Sequence, residues 1–327
     1  MISPSTVFAS STAQSLLPLA VGPAIQTTGL ILSGSFSMPD SITHCLTLVL
    51  PESDRAQFDL LLSHLETDNF DVLSPDKAMD YFETEAALND TLSELIASGL
   101  KFDHCIQKNT NRRKKLLICD MDSTLIGQEC INELADYAGV KDHVSEITER
   151  AMRGEIGFDG ALRERVALLK SLPLSVLQDC FDSRIELNVG AATLAKTMKK
   201  FGAKTVIVSG GFTYFSERVA RAAGFEHHQA NILIDDGETL TGDVADPILG
   251  REAKKEALEA FTSEIGGPTN AVSIGDGAND LAMITASGLG IAYYAKPAVA
   301  AAAHCAINHS DLTTALYFQG FKEEEFF

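Results

Sequence analysis

The chain has 327 residues, 45% of them hydrophobic, enough to bury a sizeable core and to divide into two or three units. Forty-five acidic against twenty-six basic residues give a formal charge of −19, which repels nucleic acid and anionic membrane and argues against both as partners. The six cysteines show no C-x-x-C spacing and match no zinc site, so they read as reduced thiols of a cytoplasmic protein.

Residues 1–39 carry no charged side chain. Without a basic segment they make no signal peptide, and without arginine a poor transit peptide. Pro18 and Pro23 also interrupt the only apolar run well short of a membrane span. A disordered or loosely docked leader is expected over 1–42.

From His44 the pattern becomes regular. Strands at 45–50, 70–73, 78–82 and 102–106 alternate with helices at 55–65 and 85–97 in the order βαββαβ. That order predicts a small ferredoxin-like α+β domain over 43–107, of the ACT-like kind found in amino-acid-binding regulatory proteins. The turn after its first strand, Pro51-Glu52-Ser53-Asp54, has no glycine to let the backbone approach a ligand, so a packing or homodimer-forming domain is an equal reading. Residues 108–114 read as a linker. Its Arg112-Arg113-Lys114-Lys115 run lies roughly 15 Å from Asp120 at about 3.3 Å per strand residue, the wrong end for an anion site, and reads as a solvated strand entry.

Leu116-Leu117-Ile118-Cys119 has no polar alternation and predicts a parallel strand buried on both faces. Asp120 and Asp122 follow, spaced so that in extended geometry both side chains leave the same side of the backbone, at a carboxyl strand end where open α/β sheets bind ligands. Alone, a D-x-D is more often a turn. About sixty residues of helical pattern follow, read as a cap inserted at about 128–186. Arg165 falls in the middle of an apolar stripe between Phe158 and Leu162, so it is either paired inside the cap or facing a cleft.

A helix at 191–201 and a buried strand at 205–208 lead into Ser209-Gly210-Gly211, expected as a tight turn before a helix from Thr213 and thus as an anion cradle. Residues 232–244 read as a hairpin, a small flap at about 230–245. Helix 251–264 puts Lys254 on the face of Ala257, Leu258 and Phe261. A third buried strand, 271–274, ends in Gly275-Asp276-Gly277-Ala278-Asn279-Asp280, and another strand follows at 289–292. Residues 322–327 form an acidic tail without evident chemistry.

The series D-x-D-S-T, S-G-G, a stripe lysine and G-D-G-x-N-D, in that order, resembles the haloacid dehalogenase superfamily of phosphoaspartyl phosphotransferases. Segments 119–125, 152–154, 165–170, 208–212, 240–244 and 275–280 are closer still to the phosphoserine phosphatase family within it, and the resemblance runs from about 115 to 311. It implies a Rossmann-like parallel core over 115–327 with an inserted helical cap. It implies Asp120 as nucleophile, Asp122 as general acid and base, and Mg²⁺ held by Asp120, Asp276 and the backbone carbonyl of Asp122. Ser209, Gly210, Gly211, Lys254 and Asn279 would bind the phosphate, with Arg165 gripping a carboxylate, Glu129 an ammonium, and Met152 and Phe158 walling the pocket. Against that, an acid such as Glu129 at a helix start is often only a dipole-favoured surface group.

The expected activity is Mg²⁺-dependent hydrolysis of O-phosphoserine, the last step of serine biosynthesis. The alternatives are a related phosphatase or phosphotransferase acting on another small phosphate ester, or a serine-sensing regulatory protein.

Overall fold

The computed structural model describes residues 43–327, apart from the side chain of Met152; the expected leader lies outside the described residues. The first six elements are β1 (His44–Val49), α1 (Arg55–Ser63), β2 (Phe70–Ser74), β3 (Ala78–Glu83), α2 (Glu85–Ala97) and β4 (Asp103–Lys108). Then come β5 (Leu116–Cys119) and four helices, α3 (Cys130–Tyr137), α4 (Lys141–Met152), α5 (Phe158–Ala167) and α6 (Ser175–Arg184). The chain returns through α7 (Ala191–Lys200), β6 (Lys204–Phe212), α8 (Thr213–Ala223) and β7 (His227–Asn231), with a two-stranded ribbon of β8 (Leu233–Asp235) and β9 (Leu240–Val244). It closes with α9 (Arg251–Thr262), β10 (Ala271–Gly275), α10 (Leu281–Ala286), β11 (Leu289–Tyr293), α11 (Pro297–Ala300), β12 (Cys305–Ile307) and α12 (Thr314–Phe318).

One sheet carries the architecture, in the order β2-β3-β1-β4-β12-β11-β10-β5-β6-β7. From β12 to β7 the pairings are parallel; β2, β3, β1 and β4 pair antiparallel, and β4 joins β12 antiparallel at His104 and Ala306. The strand order reverses at β5: β6 and β7 extend to one side, β10, β11 and β12 to the other. A crevice therefore opens at the carboxyl ends of β5 and β10, where no connection crosses, the place at which open α/β sheets bind ligands.

The first four strands of this sheet are covered on both faces. Leu46, Leu48, Met79 and Tyr81 pack with Phe58, Leu61 and Leu88 of α1 and α2. Val49, Ala78 and Cys105, on the opposite face, join the main core beside Leu316, Tyr317 and Phe318 of α12. Period-two alternation allows this division, and it explains why the two inner strands β1 and β3 are buried almost throughout, whereas the edge strand β2 keeps exposed residues.

Arg112 corrects the sequence reading of the 112–115 run as a solvated strand entry, which holds for the exposed Arg113 and Lys115 but not for it. Arg112 is 9% exposed and forks onto Asp80, Nη1 to Oδ2 at 2.6 Å and Nη2 to Oδ1 at 2.8 Å. It also donates to Thr47 Oγ1 at 3.0 Å and to the carbonyls of Tyr317 and Phe318. Thr47 and Asp80 are directly opposed on β1 and β3, so a polar pair sits on the face turned toward α12 and needs a cation. The acidic tail is likewise engaged: Glu325 pairs with Arg113 at 2.7 Å, Glu323 accepts from Ser74 Oγ at 2.6 Å, and Lys322 reaches Asp71 at 3.0 Å. Removing one partner of a buried fork leaves the other charge unpaired, so Arg112→Ala is expected to destabilise the protein by about 3–5 kcal/mol in urea unfolding. A loss under about 0.5 kcal/mol, the size of an exposed pair, contradicts the buried-pair account.

Candidate active site

At the crevice lies a cleft of about 450 Å³ bordered by Asp120, Asp122, Glu129, Arg165, Ser209 and Asp276. Asp120 leaves β5 with its backbone N–H still on the ladder, donating to Ile274 of β10 at 3.0 Å. Its side chain is therefore fixed at the strand end, 5% exposed. One oxygen accepts from the Met121 N–H at 2.7 Å; the other lies 2.6 Å from Lys254 Nζ.

Lys254, on α9, is 2% exposed and meets Asp280 Oδ1 at 2.5 Å on its other side. Burial works against its charge, but Asp120 and Asp280 outweigh that and hold its pKa above the usual lysine value. Asp280 Oδ2 accepts from the Gly277 N–H at 3.0 Å. The turn closes tightly enough that a Cβ on Gly275 would lie 2.4 Å from the Asp280 carboxyl carbon.

Asp276 projects beside Asp120, accepting from Thr124 Oγ1 at 3.1 Å. Burial first, and then the charge of Asp120, push its pKa up to about 6. One oxygen each of Asp120, Asp276 and Asp280 can be chosen within 4.8 Å of one another. Three carboxylates against one ammonium leave two negative charges uncompensated, a donor set suited to a hard divalent cation. Both Asp280 oxygens are engaged, by Lys254 and by the Gly277 N–H, as both Asp120 oxygens are by Lys254 and the Met121 N–H.

Asp122 Oδ1 accepts the Cys130 N–H at the start of α3 at 3.0 Å, and Oδ2 lies 3.5 Å from Ser209 Oγ. Burial, with Glu129 next, raises Asp122 to about 7. A carboxyl poised there can give up or take a proton near neutral pH.

Ser209, Gly210 and Gly211 depart from the expected tight turn. β6 stays extended to Phe212, and these three residues bulge opposite β7, between the pairs Val208–Gln229 and Phe212–Asn231. The bulge brings Gly211 so close that a Cβ there would meet Asp122 Oδ2 at 2.5 Å. Ser209 Oγ accepts the Gly211 N–H at 2.9 Å.

In the cap, Glu129 precedes α3 but makes no capping bond; its carboxylate instead accepts from Ser123 Oγ at 2.7 Å and borders the cleft. Arg165 faces the cleft and has no carboxylate within 4.0 Å among the described residues, so the pairing inside the cap is not found. Its Nε donates to the Ala161 carbonyl at 3.1 Å, and Nη1 approaches Thr148 Oγ1 at 3.5 Å. Phe158 lies over Gly210, where a Cβ would come 3.1 Å from the ring. Asn279 Nδ2 stands 3.5 Å from Asp120. The expectation for Met152 concerns a side chain outside the described residues.

Three residues escape the sequence reading. Asp280 stands in the quoted motif without a role, although a lysine on a buried face needs carboxylates, and counting them would have flagged it. Thr124 orients Asp276. Asn231 ties the β6 bulge to the segment before α9, donating to Gly210 O at 2.8 Å and accepting from Leu249 N at 2.7 Å; nothing in the sequence marks it.

A family model described as haloacid dehalogenase-like hydrolase matches residues 114–288. The phosphoserine phosphatase of Archaeoglobus fulgidus is 46% identical over 203 residues, covering 62% of this chain and 59% of that protein, so this chain spans under two thirds of its length. The phosphoserine phosphatase of a Polaromonas species is 43% identical over 204 residues, 61% of this chain and 86% of that one. Among solved structures, a probable phosphoserine phosphatase from Vibrio cholerae superposes with a TM-score of 0.70 at 30% identity, over 87% of this chain and 88% of the other.

The raised Asp276 pKa has a stability consequence. A carboxyl at about 6 in the folded protein and 3.8 otherwise binds its proton more tightly when folded. It therefore costs stability above about pH 6, and the cost disappears toward about pH 4. In chelator, Asp276→Asn is expected to be more stable than the parent by about 1–3 kcal/mol at pH 8, with the advantage nearly gone by about pH 4. Urea unfolding at both pH values measures it; a variant no more stable at pH 8 contradicts the assignment.

Proposed function

The chain belongs to the haloacid dehalogenase-like hydrolases, and within them to the phosphoserine phosphatase family; from that premise we propose that it hydrolyses O-phosphoserine to serine and phosphate, closing serine biosynthesis. The observation that carries the reading is one cleft bordered by Asp120, Asp122 and Asp276, with Lys254 buried against Asp120, and bordered as well by one further carboxylate, Glu129, and one guanidinium, Arg165.

Asp120 is the nucleophile. A carboxylate attacking a phosphate dianion faces repulsion of about 4 kcal/mol per unit-charge pair at 4 Å and an effective dielectric near 20, so positive charge must be built into the site. Lys254 supplies part of it from behind, and the Ser209 hydroxyl with the Gly210 and Gly211 backbone lines the phosphate's other side. Asn279 reaches the same side from the β10 loop. The uncompensated carboxylates fit Mg²⁺; Asp120, Asp276 and the Asp122 backbone carbonyl would hold it, and it would supply Lewis-acid neutralisation of the phosphate charge.

As the Asp120 oxygen bonds to phosphorus, the ester P–O bond breaks and Asp122 gives its proton to the departing serine oxygen. In the second half, Asp122 takes a proton from water, whose oxygen attacks the phosphorus of the aspartyl-phosphate. Asp120 returns as a carboxylate and phosphate leaves. The raised pKa of Asp122 supports both roles. Arg165 and Glu129 form the receptor for the carboxylate and ammonium of serine, with Phe158 as a wall.

The observed βαββαβ order and the β2-β3-β1-β4 arrangement support a ferredoxin-like, ACT-like domain at 43–107, joined through 108–114 to the core at 115–327. The four helices between β5 and α7 support a cap at about 128–186, and the ribbon of β8 and β9 a flap at about 230–245. Because β2 is an edge strand, the N-terminal domain offers a surface for a homodimer. No helix among the described residues is long and apolar enough to cross a membrane, and all six cysteines are buried and free, which supports a cytoplasmic location.

Phosphate release from phosphoserine and from p-nitrophenyl phosphate tests the reading. Asp120→Asn is expected to lose at least about 10³-fold in kcat on both substrates. Arg165→Ala is expected to raise KM for phosphoserine about 10- to 100-fold, the worth of charge-assisted hydrogen bonds, and to spare the aryl ester. Unchanged phosphoserine kinetics in Arg165→Ala would reject the carboxylate grip, and an active Asp120→Asn would reject the nucleophile.

A further inference from the structure

The cleft is bordered by four carboxylates, Asp120, Asp122, Glu129 and Asp276, and by two cations, Arg165 and Lys296. Lys254 lies beneath them with its charge taken up by two ion pairs. Arg165 is half-buried in the cap, held toward Ala161 and Thr148. Lys296 is different: it is exposed, belongs to the core, and has no carboxylate within 4.0 Å among the described residues.

Its position is fixed by the backbone. Lys296 precedes Pro297, whose ring favours the extended conformation found there, φ −61° and ψ 149°. Its carbonyl accepts the N–H groups of Val299 at 2.9 Å and Ala300 at 3.1 Å, while its side chain caps nothing. The anchor point is therefore rigid and the ammonium, on a flexible four-carbon stem, is spent on no structural bond. It borders the cleft together with the loop of Asp276 to Asn279.

A phosphate ester approaching a chain of net charge −19 is repelled at long range. An unpaired, hydrated point charge bordering the cleft weakens that repulsion locally, and a mobile lysine suits transient capture better than a fixed clamp. We propose that Lys296 draws the phosphate of the incoming ester into the cleft, toward Ser209, Gly210 and Gly211, a positioning residue for association that takes no part in bond making. The inference rests on the phosphatase reading above, but only on its phosphate-ester chemistry, not on the serine part of the substrate.

Steady-state kinetics of Lys296→Gln and Lys296→Arg on phosphoserine and p-nitrophenyl phosphate test it. At about 20 mM ionic strength, kcat/KM of Lys296→Gln is expected to fall about 5- to 20-fold on both esters, within the range of electrostatic steering, with kcat changed less than about twofold. At about 500 mM the deficit shrinks toward unity as screening removes the attraction, and Lys296→Arg restores most of the low-salt rate. A normal low-salt kcat/KM, a deficit that salt does not reduce, or an equal fall in kcat overturns the proposal. If the parent enzyme turns over the aryl ester but not phosphoserine, the substrate reading fails while Lys296 is still judged on the aryl ester. If phosphoserine is turned over and Lys296→Gln is normal, only the present inference falls.

Discussion

The molecule is organised around a buried ammonium held between two carboxylates. Lys254 Nζ lies 2.6 Å from Asp120 and 2.5 Å from Asp280 in a place where each charge would be expensive alone. Such a triad is a poor source of net stability, since its desolvation offsets much of its attraction. Its use is geometric. It fixes one Asp120 oxygen in place and keeps a positive charge directly against that carboxylate.

That arrangement depends on the sheet. β5 and β10 end at the same level because they are paired in parallel, Cys119 beside Ile274, so Asp120 and Asp276 leave adjacent strand ends. β6 completes the set by bulging, which a regular strand could not do, and the bulge is secured by Asn231. The four antiparallel strands β1 to β4 contribute no residue to the cleft, yet they are continuous with the parallel sheet through the pairing of His104 with Ala306. Arg112, seated on Asp80 under α12, locks their inner face to the core.

Much of this was legible in the sequence. Apolar runs such as 116–119 and 271–274 mark parallel strands because both faces are covered, and Asp120, Asp276 and Lys254 were readable from their places at a strand end, a strand end and a helix stripe. The illegible parts share one cause, which is dependence on distant segments. Arg112 looked solvated because its partners, Thr47, Asp80 and the carbonyls of Tyr317 and Phe318, come from both ends of the chain. The bulge at 209–211 looked like a turn because Ser-Gly-Gly favours turns locally, and only pairing with β7 shows otherwise. Asp280 was visible as a letter but not as a ligand of Lys254, since that contact joins residues 26 apart.

The central claim is that three carboxylates and one ammonium leave a deficit of positive charge that a divalent ion fills at Asp120 and Asp276. Calorimetric titration of chelator-treated protein with MgCl₂ at about pH 6 tests it most directly, because Asp276, with its pKa raised to about 6, is half protonated there and sheds that fraction when it ligates the ion. The account predicts a single binding event per chain accompanied by proton release, and its loss in Asp276→Asn. Binding that is absent in the parent protein, or that survives Asp276→Asn undiminished, would contradict it.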